Sequence, residues 1–175
     1  MMGVLLTVLV ACGPSSEDIA NNLSSDNPVV REDSAKIAHN FDADVVRTAL
    51  LASLQDPSAK VRYNALNSLI LVEATESVPA VMEMLEIEED REVELLAIDA
   101  LGRFKDAQAV PLLIAYIENR RQDSERSIPL NAIWALGFIG DSQALPLLAE
   151  LRESGDAYVS WNASQALSSL RPPSE

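Results

Sequence analysis

The sequence predicts an all-α solenoid, a superhelix of stacked helix pairs. Three observations predict it: an apolar pattern that repeats along the chain, prolines that recur in the same register, and a composition poor in aromatic residues. Apolar residues make up 48% of the 175 residues, but aromatic residues only 5%. Strands are usually richer in aromatic and β-branched side chains, so this composition favours closely packed helices over a sheet.

The apolar pattern marks one helix in each repeat. It starts at Val30, Val61, Val93, Ile128 and Val159, at intervals of 31, 32, 35 and 31 residues. We call this residue position 0 of its repeat. Small or apolar residues follow at positions 4, 7, 8 and 11 in most repeats, a spacing that traces one face of an α-helix. Small residues at positions 4 and 7 would let a neighbouring helix approach closely.

A second helix is predicted after each of the first four. Pro79, Pro111 and Pro146 each follow an apolar residue and lie 32 and 35 residues apart. Proline is tolerated in a first helical turn because the N–H there has no intrahelical partner. Gly102, Gly137 and Gly140 fall where first helices should end, and we interpret all three as helix-terminating residues.

The chain is predicted to divide into four parts. These are a signal peptide at 1–11, a tether at 12–15, the solenoid at 16–171 and a tail at 172–175. Within the solenoid, a short helix near 16–23 would cover one end, four repeats would follow, and a single helix near 156–170 would close the stack. Solenoids need about three repeats for stability, so we expect a monomer.

Two segments resemble a known family. D-P-S-A-K-V-R-Y-N-A-L-N-S-L (56–69) and A-I-W-A-L-G-F-I-G-D-S-Q-A-L-P-L-L (132–148) resemble HEAT repeats, especially the short HEAT-like kind also found in phycobilin lyases. The resemblance covers residues 24 to 170. It implies a right-handed superhelix of stacked antiparallel helix pairs.

The resemblance also implies a role for position 1, where HEAT repeats often carry an arginine that forms ladders along the stack. Arg31 and Arg62 occupy this position in the first two repeats. Glu94, Pro129 and Ser160 replace the arginine in later repeats, so we expect an incomplete ladder.

The N-terminus resembles the signal of bacterial lipoproteins. Residues 1–11 are apolar and uncharged, but at about 1.5 Å per helical residue they are too short to span a bilayer. Leu9-Val10-Ala11-Cys12 resembles the lipobox, which implies cleavage before Cys12 and lipidation of that residue. The resemblance implies a protein anchored by lipid in the bacterial cell envelope, at the outer membrane if the cell is Gram-negative. A cytoplasmic protein with an apolar N-terminus is the alternative.

Composition argues against several functions. The chain has 13 Lys and Arg against 27 Asp and Glu, a formal charge of −14, which would repel nucleic-acid phosphates. One cysteine and one histidine give neither an intrachain disulfide nor a zinc cluster. No nucleophile–base pair or phosphate-binding loop is visible. We therefore expect no catalytic residue, metal or cofactor, and no nucleic-acid partner.

Aromatic residues indicate a candidate docking surface. Trp134 occupies position 6, which is polar in the other four repeats, so we expect it to face solvent. Tryptophan is enriched at binding hot spots. Trp161 and Tyr158 lie one repeat later, and Tyr63 shares the repeat position of Trp161. We expect an aromatic contact patch; packing of Trp134 against the longer connection at 118–127 is the alternative.

Two charged segments are further candidates. The connection at 118–127 contains a basic cluster of Arg120, Arg121 and Arg126, which could contact an acidic partner. The acidic run between Glu83 and Glu94 includes Glu86, Glu88, Glu89, Asp90 and Glu92, which could contact a basic partner. The run lacks the ordered spacing of a calcium-binding loop. In both cases a solvated loop is the alternative.

The sequence thus predicts a non-enzymatic scaffold that binds an unidentified protein of the cell envelope. Solenoids usually bind partners on an extended surface, typically the concave face formed by the second helices. Two alternatives remain: a lyase of the type that attaches a bilin to a protein thiol, which the family resemblance suggests, and a cytoplasmic regulatory or assembly factor.

Overall fold

A computed structural model describes residues 13–41, 43–122 and 128–170. These residues contain ten α-helices and no strand. The helices are α1 (Ser16–Leu23), α2 (Pro28–Ile37), α3 (Asp44–Ser53), α4 (Ala59–Leu71), α5 (Val78–Ile87), α6 (Arg91–Phe104), α7 (Val110–Gln122), α8 (Leu130–Ile139), α9 (Leu145–Arg152) and α10 (Ala157–Leu170).

The helices stack as the repeat pattern predicts. The first helices of the repeats, α2, α4, α6, α8 and α10, pack against one another in that order. The second helices, α3, α5, α7 and α9, each pack against the first helix that follows. The helix α1 packs against α2 and α3 at one end. The predicted all-α solenoid is confirmed.

The core lies along the positions that the periodicity identified. Position 4 is buried in all five repeats, where it is occupied by Ser34, Ala65, Ala97, Ala132 and Ala163. Position 8 is buried in the first four, where it is occupied by Ala38, Leu69, Leu101 and Leu136. Small side chains at one position and larger ones at the other fill the space between neighbouring first helices.

The second helices begin as predicted at an apolar residue followed by proline. The helices α5, α7 and α9 start at Val78, Val110 and Leu145. Each is preceded by one 3₁₀ turn, at Thr75–Ser77, Ala107–Ala109 and Ser142–Ala144. The sequence did not predict these turns.

The interpretation of Gly102 and Gly137 as helix-terminating residues is wrong. Both lie inside helices, because α6 continues to Phe104 and α8 to Ile139. A Cβ atom on Gly102 would lie 2.9 Å from the Cα of Ala135, and one on Gly137 would lie 2.9 Å from the Cα of Ala166. Glycine at position 9 therefore allows close backbone approach between successive first helices.

The first helices end instead three residues later. Glu73, Lys105 and Gly140, all at position 12, adopt left-handed backbone conformations with φ of 53°, 54° and 76°. Gly140 caps α8 as predicted, and its N–H donates to the carbonyl of Leu136. Glu73 and Lys105 adopt the left-handed conformation in the two preceding repeats without being glycine, which carries a steric cost.

Candidate protein-docking surface

Three aromatic side chains form a cluster on the last two first helices, which we call the aromatic cluster. The ring centroid of Trp134 on α8 lies 5.8 Å from that of Phe138 and 6.1 Å from that of Trp161 on α10. Trp134 is half-buried, whereas Phe138 is 51% exposed and Trp161 is 56% exposed. The cluster thus presents two open rings, with Trp134 between them.

Sequence reasoning missed Phe138. It lies four residues after Trp134, so the two side chains project from the same side of α8. That spacing was visible in the sequence and could have identified it.

The other two predicted aromatic residues lie at different distances from the cluster. Tyr158 is 75% exposed in the first turn of α10, three residues before Trp161. Tyr63 is 38% exposed on α4, with α6 and α8 between it and α10. Tyr63 is therefore separate from the cluster, although it lies on the same row of first helices. In the described ranges, all four exposed aromatic side chains are on first helices.

A small groove of about 210 Å³ lies beside Tyr63. Glu32 of α2 and Lys60 of α4 line it, together with Asp90 and Glu92 at the start of α6. Asp90 accepts hydrogen bonds from the backbone N–H groups of Glu92 and Val93 and so caps α6. The groove contains three carboxylates and one ammonium group.

A larger cleft of about 630 Å³ adjoins Phe138. Its apolar lining comes from Ile70, Phe104 and Phe138, and Gly102 contributes its backbone. Charged residues surround it, namely Glu73, Asp99, Arg103 and Lys105. Asp99 and Arg103 form an ion pair one helical turn apart on α6. This cleft extends the solvent-facing surface of the first helices next to the aromatic cluster.

The two arginines predicted to bind a partner are both paired within the chain. Arg120 on α7 donates to Glu94 on α6, and its guanidinium lies 4.8 Å from the ring centroid of Tyr116. Arg121 donates to Glu118 on its own helix and to Glu150 on α9. Their charges are already compensated, so we do not include them in the docking surface.

The predicted acidic patch is also divided by the structure. Glu86, Glu89 and Glu92 are exposed, and Asp90 caps α6. The side chain of Glu88 is only 1% exposed, because it accepts two hydrogen bonds from Arg62, at 2.7 and 2.6 Å. Glu88 therefore stabilises the fold and does not belong to an acidic surface.

Position 1 carries an ion pair in each of the first three repeats, which we call the repeat ion pairs. Arg31 donates to both carboxylate oxygens of Asp56, and Arg62 does the same to Glu88. In the third repeat the charges are exchanged: Glu94 takes the position of the arginine, and Arg120 takes that of the acid. The ladder is incomplete, as expected, because Pro129 and Ser160 carry no charge at position 1, but it extends one repeat beyond Arg62 with reversed polarity.

These buried contacts shift protonation equilibria. Burial opposes ionisation of Glu88, but hydrogen bonds from Arg62 and from the N–H groups of Asp90 and Glu89 outweigh it, so the pKa of Glu88 lies below its ordinary value. The hydrogen bond to Glu88 raises the pKa of Arg62. Burial, together with a hydrogen bond from its hydroxyl to Glu94, raises the pKa of Tyr116 to about 12.

The sequence also predicted a lipidation site and argued against a transmembrane helix and a metal site. Cys12, the predicted lipidation site, lies outside the described residues. Among residues 13–41, 43–122 and 128–170, every helix is too short or too polar to cross a bilayer. The same ranges contain no group of three or more His, Cys, Asp or Glu side chains arranged to hold a metal ion.

Two family models match this chain. The HEAT repeats model matches residues 16–101 and 46–128, which together span more than half of the chain. The PBS lyase HEAT-like repeat model matches residues 128–154. No curated protein matches.

Solved structures with similar folds include natural and engineered repeat proteins. The complex of CpcE and CpcF of phycocyanin lyase from Nostoc sp. PCC7120 contains a chain that is 24% identical, with a TM-score of 0.73 over 97% of this chain and 70% of that chain. A designed armadillo repeat protein in complex with a (KR)4 peptide is 17% identical, with a TM-score of 0.61 over 88% of this chain and 81% of that chain. An engineered protein is 19% identical, with a TM-score of 0.59 over 89% and 78% of the two chains. At these identities the likeness shows the fold alone.

Proposed function

Because the chain belongs to the HEAT-repeat family, we propose that it is a scaffold that binds another protein through the exposed face of its first helices. The observation that carries this proposal is the aromatic cluster, in which two rings remain open to solvent. Large exposed aromatic side chains bury much apolar area when a partner covers them, which is why they concentrate at binding hot spots. The proposed face is formed by the first helices and not by the second helices that solenoids typically use.

The test compares exposed apolar residues on the two faces. The immobilised protein captures a partner from detergent-solubilised membranes, and the captured protein is identified by mass spectrometry. Trp161→Ser and Phe138→Ser should each reduce capture of that partner, because each removes an open ring of the cluster. Leu145→Ser is the matched control, because Leu145 is exposed on the second helix α9. Equal capture by all variants would contradict the proposal.

We further propose that Cys12 carries a lipid that tethers this scaffold to a bacterial membrane. The support is the segment Leu9-Val10-Ala11-Cys12, which resembles a lipobox. Only residues 13–15 separate Cys12 from α1, and each spans at most about 3.5 Å, so the solenoid would lie close to the bilayer. Cells fed radioactive palmitate should label the wild type and not Cys12→Ala. Equal labelling of both would refute the tether.

A second candidate function is a role in a bilin lyase. The match of residues 128–154 to the PBS lyase HEAT-like repeat favours it, as does the fold shared with a phycocyanin lyase complex. In that case the purified chain, alone or with a partner subunit, should change the absorbance spectrum of an added bilin. An unchanged spectrum would leave the scaffold as the proposed function.

A further inference from the structure

Exposed apolar residues concentrate on one side of the solenoid. In the described part of the chain, eight of the eleven large hydrophobic side chains that are exposed lie on first helices. These are Val29, Ile37, Tyr63, Leu71, Leu95, Phe138, Tyr158 and Trp161. Position 2 contributes one on each of α4, α6 and α10, namely Tyr63, Leu95 and Trp161, so the three lie in the same register along the row of first helices.

The charges beside this row are unbalanced at the Tyr63 end. Glu32 and Glu92 line the groove next to Tyr63, and neither forms an ion pair with another described residue. Asp90 adds a third carboxylate, and Lys60 is the one cation in the lining. The local excess is negative, like the formal charge of −14 for the whole chain.

The carboxylates beside Tyr63 favour a partner with a positive charge. An uncharged partner that covered the row would remove the Glu32 and Glu92 carboxylates from water without replacing their hydration, which is costly. An acidic partner would be repelled. An arginine or lysine side chain would gain attraction to both carboxylates and could also lie against the face of the Tyr63 ring.

We propose that the first-helix face binds a positively charged segment of its protein partner. A basic side chain occupies the groove between Glu32 and Glu92 against Tyr63, and an apolar residue of the same segment packs on the aromatic cluster. Tyr63 and Trp161 are three helix-to-helix steps apart, and each step is about 8–10 Å. An extended segment of about eight or nine residues, at about 3.3 Å per residue, spans that distance. This inference rests on the proposed function and names the partner's chemistry.

The test uses three fluorescein-labelled peptides of 14 residues: alternating Arg and Leu, alternating Ser and Leu, and alternating Glu and Leu. Binding to the full chain is followed by fluorescence polarisation near physiological salt. We expect the Arg-Leu peptide to bind and the other two to bind at least about tenfold more weakly. Equal binding of the Ser-Leu peptide would overturn the basic partner while leaving the apolar docking face of the proposed function intact.

Paired variants separate a local site from general attraction to an acidic protein. The double variant Glu32→Gln, Glu92→Gln should weaken binding of the Arg-Leu peptide about fivefold. The double variant Glu83→Gln, Glu86→Gln makes the same charge change on exposed residues of α5, a second helix, and should leave binding unchanged. Lys60→Gln should tighten binding, because it removes the competing cation. Equal weakening by both double variants would overturn the proposal, since net charge alone would then explain binding.

Trp161→Ser distinguishes failure of the inference from failure of the proposed function. Loss of peptide binding in this variant supports both. If Trp161→Ser binds the Arg-Leu peptide as tightly as the wild type, the segment does not contact the aromatic cluster and the inference falls; the proposed function falls only if this variant also captures the protein partner as well as the wild type does. Circular dichroism spectra of all variants establish that each is folded.

Discussion

Gly102 on α6 lies so close to Ala135 on α8 that a methyl group in place of the glycine hydrogen would lie 2.9 Å from the Ala135 Cα. The contact joins backbone to backbone, so it cannot be relieved by rotating a side chain. Gly137 repeats the relationship with Ala166 one step further along the stack. The close contact of α6, α8 and α10 depends on these two glycines.

Gly102→Ala and Gly137→Ala should therefore each destabilise the protein. Alanine favours a helix over glycine by about 1 kcal/mol, but overpacking at a fixed contact costs about 1–3 kcal/mol. We expect a net loss of up to about 2 kcal/mol in the free energy of unfolding, measured with urea. Gly155→Ala is the control, because nothing lies within 4 Å of its Cβ position. A stability increase at Gly102 would show that the helices separate without cost.

Lys105→Gly should stabilise the protein. Lys105 adopts a left-handed conformation at the end of α6, with φ of 54°, where Gly140 serves at the same position of the next repeat. Glycine removes the steric cost of that conformation, for a gain of up to about 1 kcal/mol. Lys36→Gly is the contrast, because Lys36 lies within α2 and glycine there should cost about 1 kcal/mol. Thermal unfolding of the two variants should shift in opposite directions.

Glu88→Gln should destabilise the second repeat. The variant leaves the largely buried guanidinium of Arg62 without a charged acceptor, at a cost of about 2 kcal/mol. Glu86→Gln, at an exposed neighbouring position, should change the free energy of unfolding very little. An equal effect of the two substitutions would show that the ion pair makes no net contribution.

Glu88 should also make the stability of the protein fall at acid pH. The pKa of Glu88 is lower in the folded state than its ordinary value of 4.5, so the folded state favours the ionised form. This contribution is complete above the ordinary value and is lost as the pH falls through the lowered pKa. Stability of the wild type should decline over that acid range, and Glu88→Gln should show a shallower decline. Parallel pH profiles would contradict the assignment.

Tyr116 should ionise only at strongly alkaline pH. Its hydroxyl donates to Glu94, and its pKa is about 12 because of burial and this hydrogen bond. Glu94→Gln removes the charged acceptor but leaves the burial, so the pKa should fall part of the way towards 10.0. Ultraviolet titration of tyrosinate measures the midpoint, and Tyr116→Phe identifies the signal. A midpoint that is unchanged in Glu94→Gln, or equally shifted in Glu92→Gln, would contradict this explanation.

The stacking of the helices could be predicted from the sequence because buried positions keep the same kind of residue in successive repeats. Position 4 is a small residue in all five repeats, and position 8 is apolar in the four repeats where it is buried. Both side chains must fit between two neighbouring helices. This pattern did not show that Gly102 and Gly137 serve packing and not helix termination. Gly102 and Gly140 both lie near helix ends, and only the contact with Ala135 shows that one serves packing while the other serves termination.

The ion pairs and the docking surface were less accessible to sequence reasoning. The partners of a repeat ion pair are 25 or 26 residues apart, and in the third repeat the acid stands at position 1 and the arginine at the partner position. Neither position therefore keeps the same charge through all three repeats. The predicted basic and acidic clusters therefore included Arg120 and Glu88, whose charges are satisfied inside the fold. Whether a charged residue is free for a partner depends on contacts that its neighbours in the sequence do not reveal.

The repeat ion pairs also bear on how such a chain could change in length. Both members of each pair belong to the same helix pair, as with Arg62 on α4 and Glu88 just after α5. The contact that Arg62 makes with the preceding unit is to the backbone carbonyl of Asp56, which any residue type would supply. A whole unit could therefore be duplicated or deleted without separating the two members of a repeat ion pair. Gene rearrangements at these boundaries would be tolerated more readily than single charge reversals within a unit.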